Sequence, residues 1–275
     1  MTTRIAICAP ATPIRYDVSD RVERLAREFP EIELVFHDQC FRAEGHFAGD
    51  DEERLTALLE CANDPAFDAV WFAKGGYGTN RIAEQALTGF NEAAREKTFI
   101  GYSDAGYLLA GLYKEGLGKP VHGPMPVDIR RDGGEEAIRR ALAYFSGSDD
   151  GLEESIEDEP VAAFNLTTLS MLCGTRLMPD LAGHVVMIEE VSEYLYSVDR
   201  LFFHLTNNLK GIAGLRLGRV TDIPENDRPF GAEPVEIAQD WCKRSGIPFL
   251  GVAEIGHTAA NRIVPFGLAR SRARS

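Results

Sequence analysis

Ser103 sits in the stretch FIGYSDAGYLLAGL (99–112), after a short apolar run and before an apolar pattern of helical spacing drawn through Ala105, Leu108, Leu109 and Leu112. A serine at a strand-to-helix turn can be a nucleophile, with the backbone N–H groups that follow it turned toward a developing oxyanion. It can equally be a helix cap. The motif is Gly-Tyr-Ser-Asp-Ala rather than the full Gly-x-Ser-x-Gly, so within this stretch both readings stand. The second chemical signal is KGGYGTNR (74–81), which follows one apolar run and precedes a helical pattern. Gly75, Gly76 and Gly78 permit close backbone approach, so the loop either offers N–H groups to an oxygen or makes a tight structural turn. It has neither the Gly-x-Gly-x-x-Gly spacing nor the Gly-Lys-Ser/Thr end of a nucleotide loop.

A serine nucleophile needs a base, and the base needs an acid to set its tautomer. Six histidines are available. His257, in FLGVAEIGHTAANRIVPFG, follows a strand pattern and a glycine, where a side chain faces a cleft. His122 ends a short apolar run in VHGPMP and is expected at the same cleft as a substrate contact, whereas His204 lies inside a helical pattern. His37, Cys40 and His46 lack a fourth ligand, so no metal site is expected. For the acid, VVMIEEVSE offers Glu189, Glu190 and Glu193. Period 2 puts Val185, Met187 and Glu189 on one face and Val186, Ile188 and Glu190 on the other, and this alone leaves the choice open.

These residues need elements to carry them. Apolar runs at 4–8, 32–36, 67–73, 98–102 and 119–123 alternate with helical patterns at 19–29, 51–62, 80–90 and 135–145. The first two helices are expected to open on Ser or Asp caps. This alternation predicts an α/β fold whose N-terminal domain is a doubly wound parallel sheet over 1–146, with ligands at the carboxyl ends of its strands. An acidic stretch with glycines and a proline, 147–162, reads as a linker or solvated hairpin. A smaller mixed α/β C-terminal domain, 163–275, follows, with strands at 183–191, 214–220 and 247–256, helices at 197–208 and 234–246, and a small sheet or barrel.

Composition narrows the partners. The chain has 275 residues and a formal net charge of −14, which disfavours nucleic acid and anionic membrane. No apolar run approaches the ~20 residues of a membrane span, and the start lacks the apolar core of a signal peptide, so a cytoplasmic protein with a small-molecule or peptide partner is expected. Five widely spaced cysteines without a CxxC pair indicate neither a disulfide framework nor a thiolate metal site.

In order along the chain, APATP, GGYGTNRI, FIGYSD, HGPMP, MIEEV with YSVDR, and GHTAANRIVPFG together resemble the LD-carboxypeptidase family of serine peptidases, which includes the microcin C immunity proteins. The resemblance covers almost the whole chain. It implies Ser103 as nucleophile, His257 as base and Glu189 as the acid that orients it, with an oxyanion hole from the N–H groups of Asp104 and Gly76. It also implies a cytoplasmic homodimer without a cofactor, releasing terminal D-alanine from murein tetrapeptides in cell-wall recycling. Substrate contacts are expected from Gly75, Tyr77, Gly78, His122 and Arg262, with Arg81 a further cation. The chain departs from the family in having Ala163-Phe164-Asn165-Leu166 where Gly-Gly-Asn-Leu is common, and in a short segment between Ser103 and Glu189. Two other functions are compatible with the scaffold: a microcin-immunity type of peptidase acting on aminoacyl or peptidyl nucleotide analogues, and a non-catalytic binding protein.

Overall fold

The computed structural model describes residues 2–270. Five parallel strands come from the first part of the chain: β1 (Thr3–Cys8), β2 (Ile32–Phe36), β3 (Ala69–Phe72), β4 (Thr98–Gly101) and β5 (Lys119–His122). Between and after them run α1 (Tyr16–Ala26), α2 (Asp51–Asn63), α3 (Thr79–Gly89), the short α4 (Glu92–Glu96), α5 (Gly106–Glu115) and α6 (Gly134–Phe145). The strands are apolar on both faces because both faces are covered. Ile5, Ile7, Trp71, Ile100 and Val121 pack with α1 and α6, whereas Ala6, Cys8, Val70, Phe72 and Phe99 face α2, α3 and α5.

A second sheet holds β6 (Val161–Asn165), β7 (Val185–Val191), β8 (Gly214–Thr221) and β9 (Phe249–Val252), all parallel and in that spatial order, with α7 (Leu166–Leu172), α8 (Leu195–Asn208) and α9 (Pro234–Ser245). It is an open sheet rather than a barrel. Phe164, Val186 and Ile188 share one continuous core with Leu108, Leu109 and Leu112 of α5. That helix is buried on all sides rather than along one stripe, since it lies where the two sheets meet. Each leucine fully buried there contributes on the order of 2 kcal/mol.

Three features differ from the sequence-based expectation. The acidic segment before β6 is anchored rather than solvated: Leu152, Glu153 and Ile156 are buried, and Glu153 Oε2 accepts the N–H of Glu254 at 2.9 Å. Secondly, α1 starts at Tyr16 after Arg15, without a side-chain cap, and Ser19 lies inside it donating to the carbonyl of Tyr16; α2 does carry its cap, a capping box from Asp50 and Glu53. Lastly, β10 (Val264–Pro265) runs back from the second sheet to pair antiparallel with β5, Val264 opposite His122. The chain around His257 is thereby tied to both sheets.

Candidate active site

Gly101 ends β4, Tyr102 continues it in extended conformation, and Ser103 adopts φ = 58°. A left-handed conformation at a non-glycine residue costs on the order of 1–3 kcal/mol. It reverses the chain into a 3-10 turn, Ser103–Ala105, that feeds straight into α5. Ser103 is thus the pivot of the strand-to-helix turn, not the residue whose side chain caps the helix.

The glycine loop after β3 lies directly against this turn. A Cβ on Gly75 would sit 3.1 Å from Ser103 Oγ and 3.4 Å from the Asp104 nitrogen, so the two segments meet closely and a side chain there would press on Ser103. Thr12, in the loop after β1, donates from Oγ1 to the Gly75 carbonyl at 2.6 Å. Carbonyl and N–H point in opposite directions across a trans peptide, so this bond turns the Gly76 N–H away from Thr12. Gly76 has φ = 108°, and a Cβ there would lie 2.6 Å from Thr12 Cγ2. Farther along, the Gly78 carbonyl accepts from Arg54 Nη1 at 2.9 Å, and Thr79 N–H donates to Asp104 Oδ2 at 2.9 Å. Arg54 is fully buried; it also donates to the Pro10 carbonyl and its guanidinium lies over the Phe47 ring. Burial raises the Asp104 carboxyl above its ordinary value, against the lowering effect of the Thr79 hydrogen bonds. Three side chains on three elements, Thr12, Arg54 and Asp104, therefore hold the loop on the serine turn.

From the second sheet, β7 presents its alternation as period 2 predicts. Val185 and Met187 pack toward Ile255 and Val264, Val186 and Ile188 toward the shared core. Glu189 therefore faces the segment carrying His257, and its Oε2 accepts from His257 Nδ1 at 2.7 Å. A carboxylate only accepts, so Nδ1 carries the hydrogen of this bond and Nε2 is the ring nitrogen left for another partner. Glu189 is 0% exposed. Opposite it the β7–β8 register slips: Ile188 pairs with Leu217 and Glu190 with Val220, leaving Gly218 and Arg219 across from one residue. Such a bulge re-aims side chains next to it. A Cβ on Gly218 would lie 2.7 Å from the Ile255 carbonyl and 3.0 Å from Glu189 Cβ, so this glycine lets the segment carrying His257 approach Glu189. Glu190 points the other way, accepting from Asn165 Nδ2 and from Thr167 N and Oγ1 at 2.7–2.8 Å, with burial raising its carboxyl.

The two halves meet through Tyr102. Its ring centroid lies 4.8 Å from that of His257, and its hydroxyl donates to Asp128 Oδ1 at 2.8 Å. Ser103 Oγ itself makes no hydrogen bond to His257 among the described residues; catalytic contacts of this kind tighten when substrate is bound.

Two of the expected substrate contacts lie elsewhere. His122 is fully buried, its ring 5.4 Å from that of Tyr102 and its Nε2 3.0 Å from Asn261 Oδ1, so it backs the site rather than facing a ligand. The Arg262 guanidinium is engaged by Glu254 Oε2, Glu154 Oε1 and the Asp150 carbonyl, and is neutralised by the acidic segment. Likewise Arg81 is paired with Asp51, while Gly78 packs on Phe47 and Arg54. Tyr77 stands at the loop rim, 48% exposed. His37 and Cys40 are bound to Glu60 and the Ile7 carbonyl respectively, not to a common centre with His46. Unforeseen were Thr12, Arg54, Tyr102, Gly218 and Asn261. Thr12 and Asn261 stand inside the APATP and GHTAANR motifs and could have been singled out there, whereas Arg54 carries no local mark.

Comparison with known proteins agrees with this architecture. The chain is 28% identical to the murein tetrapeptide carboxypeptidase of Pseudomonas aeruginosa, over 96% of this chain and 91% of that one. The solved muramoyltetrapeptide carboxypeptidase of Oxalobacter formigenes superimposes with a TM-score of 0.79 at 25% identity, covering 96% and 93% of the two chains. The structure of MccF in complex with glutamyl sulfamoyl guanosine shares the fold, with a TM-score of 0.78 at 19% identity over 97% and 91%. Residues 5–123 match the LD-carboxypeptidase N-terminal domain and residues 160–270 the LD-carboxypeptidase C-terminal domain, so this chain belongs to the LD-carboxypeptidase family of peptidases.

Proposed function

We propose that the protein is a serine-type LD-carboxypeptidase that hydrolyses the bond between an L-configured diamino acid centre, of lysine or diaminopimelate, and the terminal D-alanine of murein tetrapeptides. The work is done in the cytoplasm by a homodimer, without a cofactor. The observation that carries the reading is the 2.7 Å hydrogen bond from His257 Nδ1 to buried Glu189, on an imidazole packed at a tilt against the ring of the residue preceding Ser103. Ser103 Oγ attacks the carbonyl carbon while His257 Nε2 takes its proton, and Glu189 stabilises the imidazolium. The N–H groups of Asp104 and Gly76 receive the oxyanion, held in place before the reaction by the Asp104–Thr79 and Thr12–Gly75 bonds. The amine of D-alanine leaves with the proton from His257, and water, activated by the same nitrogen, then releases the acyl group from Ser103.

The test is D-alanine release from a murein tetrapeptide, followed by mass spectrometry. Ser103→Ala is expected to keep the fold and to lose turnover; undiminished release by a folded variant overturns the mechanism.

One observation favours a second substrate class. The rings of His46 and Phe47 each lie 6.2 Å from that of exposed Tyr77, making an aromatic rim beside the glycine loop. A nucleobase stacks on such a rim, as a peptidase acting on aminoacyl nucleotide analogues requires. Competition between a tetrapeptide and an aminoacyl-sulfamoyl adenylate separates the two, and Tyr77→Ala weakens only the second.

A further inference from the structure

We propose that Asn261 and His122 are positioning residues for the base, acting on His257 through the backbone of Gly256 and the ring of Tyr102. The proposal rests on the reading of His257 as the base.

Asn261 is fully buried, and its Oδ1 serves two partners: the Gly256 N–H at 3.0 Å and His122 Nε2 at 3.0 Å. A backbone N–H only donates, so the atom facing it is the amide oxygen. The His122 nitrogen on that same oxygen must then carry a hydrogen, which assigns His122 as the Nε2–H tautomer. Burial holds its pKa below the ordinary histidine value, with His257 adding to the effect and Glu189, Asn261 and Asp128 opposing it, so the ring stays a neutral donor. One oxygen thereby ties together the end of β5, the residue before the base and the connection from β9 to β10.

The turn offers few other ways to fix the base. Gly256 has φ = 135°, and a Cβ there would lie 3.0 Å from Arg219 Cβ and 3.2 Å from the Arg219 carbonyl. The residue before His257 is therefore pressed against β8 with no side chain of its own, and its N–H is set from outside by Asn261. The turn is closed by Thr258 N–H to the Gly256 carbonyl at 2.8 Å and by Arg140 Nη1 on the carbonyls of Ala259 and Asn261. On its other support, His257 rests on Tyr102, which in turn contacts the His122 ring. His122 thus backs the base twice.

Displacing a reacting group by about 1 Å costs about 100-fold in rate. Asn261→Ala is accordingly expected to lower kcat for D-alanine release about 100-fold, with KM within about twofold. Asn261→Asp keeps the accepting oxygen and recovers most of the loss. His122→Phe keeps the ring on Tyr102 but loses the N–H, for a loss of about 10-fold. The decisive comparison repeats Asn261→Ala in a His257→Ala background, where a residue acting through the base has no further effect on the residual rate. An equal loss in both backgrounds, or Asn261→Asp no better than Asn261→Ala in protein of unchanged circular dichroism and Tm, overturns the proposal. Where Asn261→Ala does not fold, Asn261→Asp and His122→Phe carry the same comparison. Wild-type turnover by His257→Ala, by contrast, overturns the reading of the base itself, whatever Asn261 does.

Discussion

The Ser103 side and the His257 side of this site are built by different means. Around Ser103 the geometry is in the backbone: a left-handed serine, glycines pressed on neighbours, and peptide N–H groups aimed by Thr12 and Asp104. Around His257 it is mostly in side chains, a carboxylate, an amide and two rings joined by hydrogen bonds and tilted ring contacts, with Gly218 and Gly256 admitting the segment. Backbone geometry tolerates no added atom, while side-chain geometry yields one contact at a time. Substitutions on the first side should therefore act through added bulk, and on the second through chemistry lost.

The largest effect expected belongs to the His257 side. Glu189→Gln keeps the shape but forfeits the charge that holds the tautomer, and should lower kcat by about 10⁴-fold, as neutralising a triad acid does. Steady-state kinetics on a tetrapeptide measure it. Next comes Gly76→Ala, whose Cβ would meet Thr12 Cγ2 at 2.6 Å and displace an oxyanion donor. A loss of about 10²–10³-fold in kcat is expected, and a simultaneous Thr12→Ser should recover only part of it, because the Cβ would still lie 2.9 Å from Thr12 Oγ1 at a φ of 108° that side chains rarely adopt. Glu190→Gln should reverse the pattern of its neighbour: turnover within a few-fold of wild type, but a loss of about 1–3 kcal/mol in denaturant unfolding, because the amide nitrogen must face one of the two donor pairs, Asn165 Nδ2 with the Val191 N–H or the Thr167 N–H with its hydroxyl. If Glu190→Gln abolishes turnover and Glu189→Gln does not, the two roles are exchanged.

The smallest effect is in pH dependence. His122 has its pKa lowered in the fold by burial, so the unfolded chain binds a proton there more readily than the folded one. The stability this contributes is present above the ordinary value of 6.5 and is lost as pH falls through the folded pKa. His122→Phe should therefore flatten the decline of Tm between neutral and mildly acidic pH, and an unchanged slope would count against the neutral, buried donor.

How much of this was legible in the sequence follows the same division. Apolar runs placed β1 to β5 and β7 to β9, and the period-2 alternation of β7 already separated Glu189 from Glu190, because both faces of that strand are covered. Which face meets His257 depends on where the segment after β9 returns, and no local pattern carries that information. Strand β6 was hidden because VAAFN is buried on both faces and follows an acidic stretch; β10 has only two residues and exists by pairing with β5. The site glycines were visible as a loop, but their contacts with Ser103 and Thr12 are long-range. Asn261 carried no signal of its own that singled it out, and His122 is expected as a ligand contact because a histidine at a strand end does not disclose what lies in front of it.

Activation of Ser103 by His257 is the central proposal. Intact-protein and peptide mass spectrometry after treatment with a fluorophosphonate tests this most directly. A single adduct on Ser103 in the wild-type protein, absent from folded His257→Ala, is the result predicted; no adduct in well-folded wild-type protein, or equal labelling without His257, would contradict it.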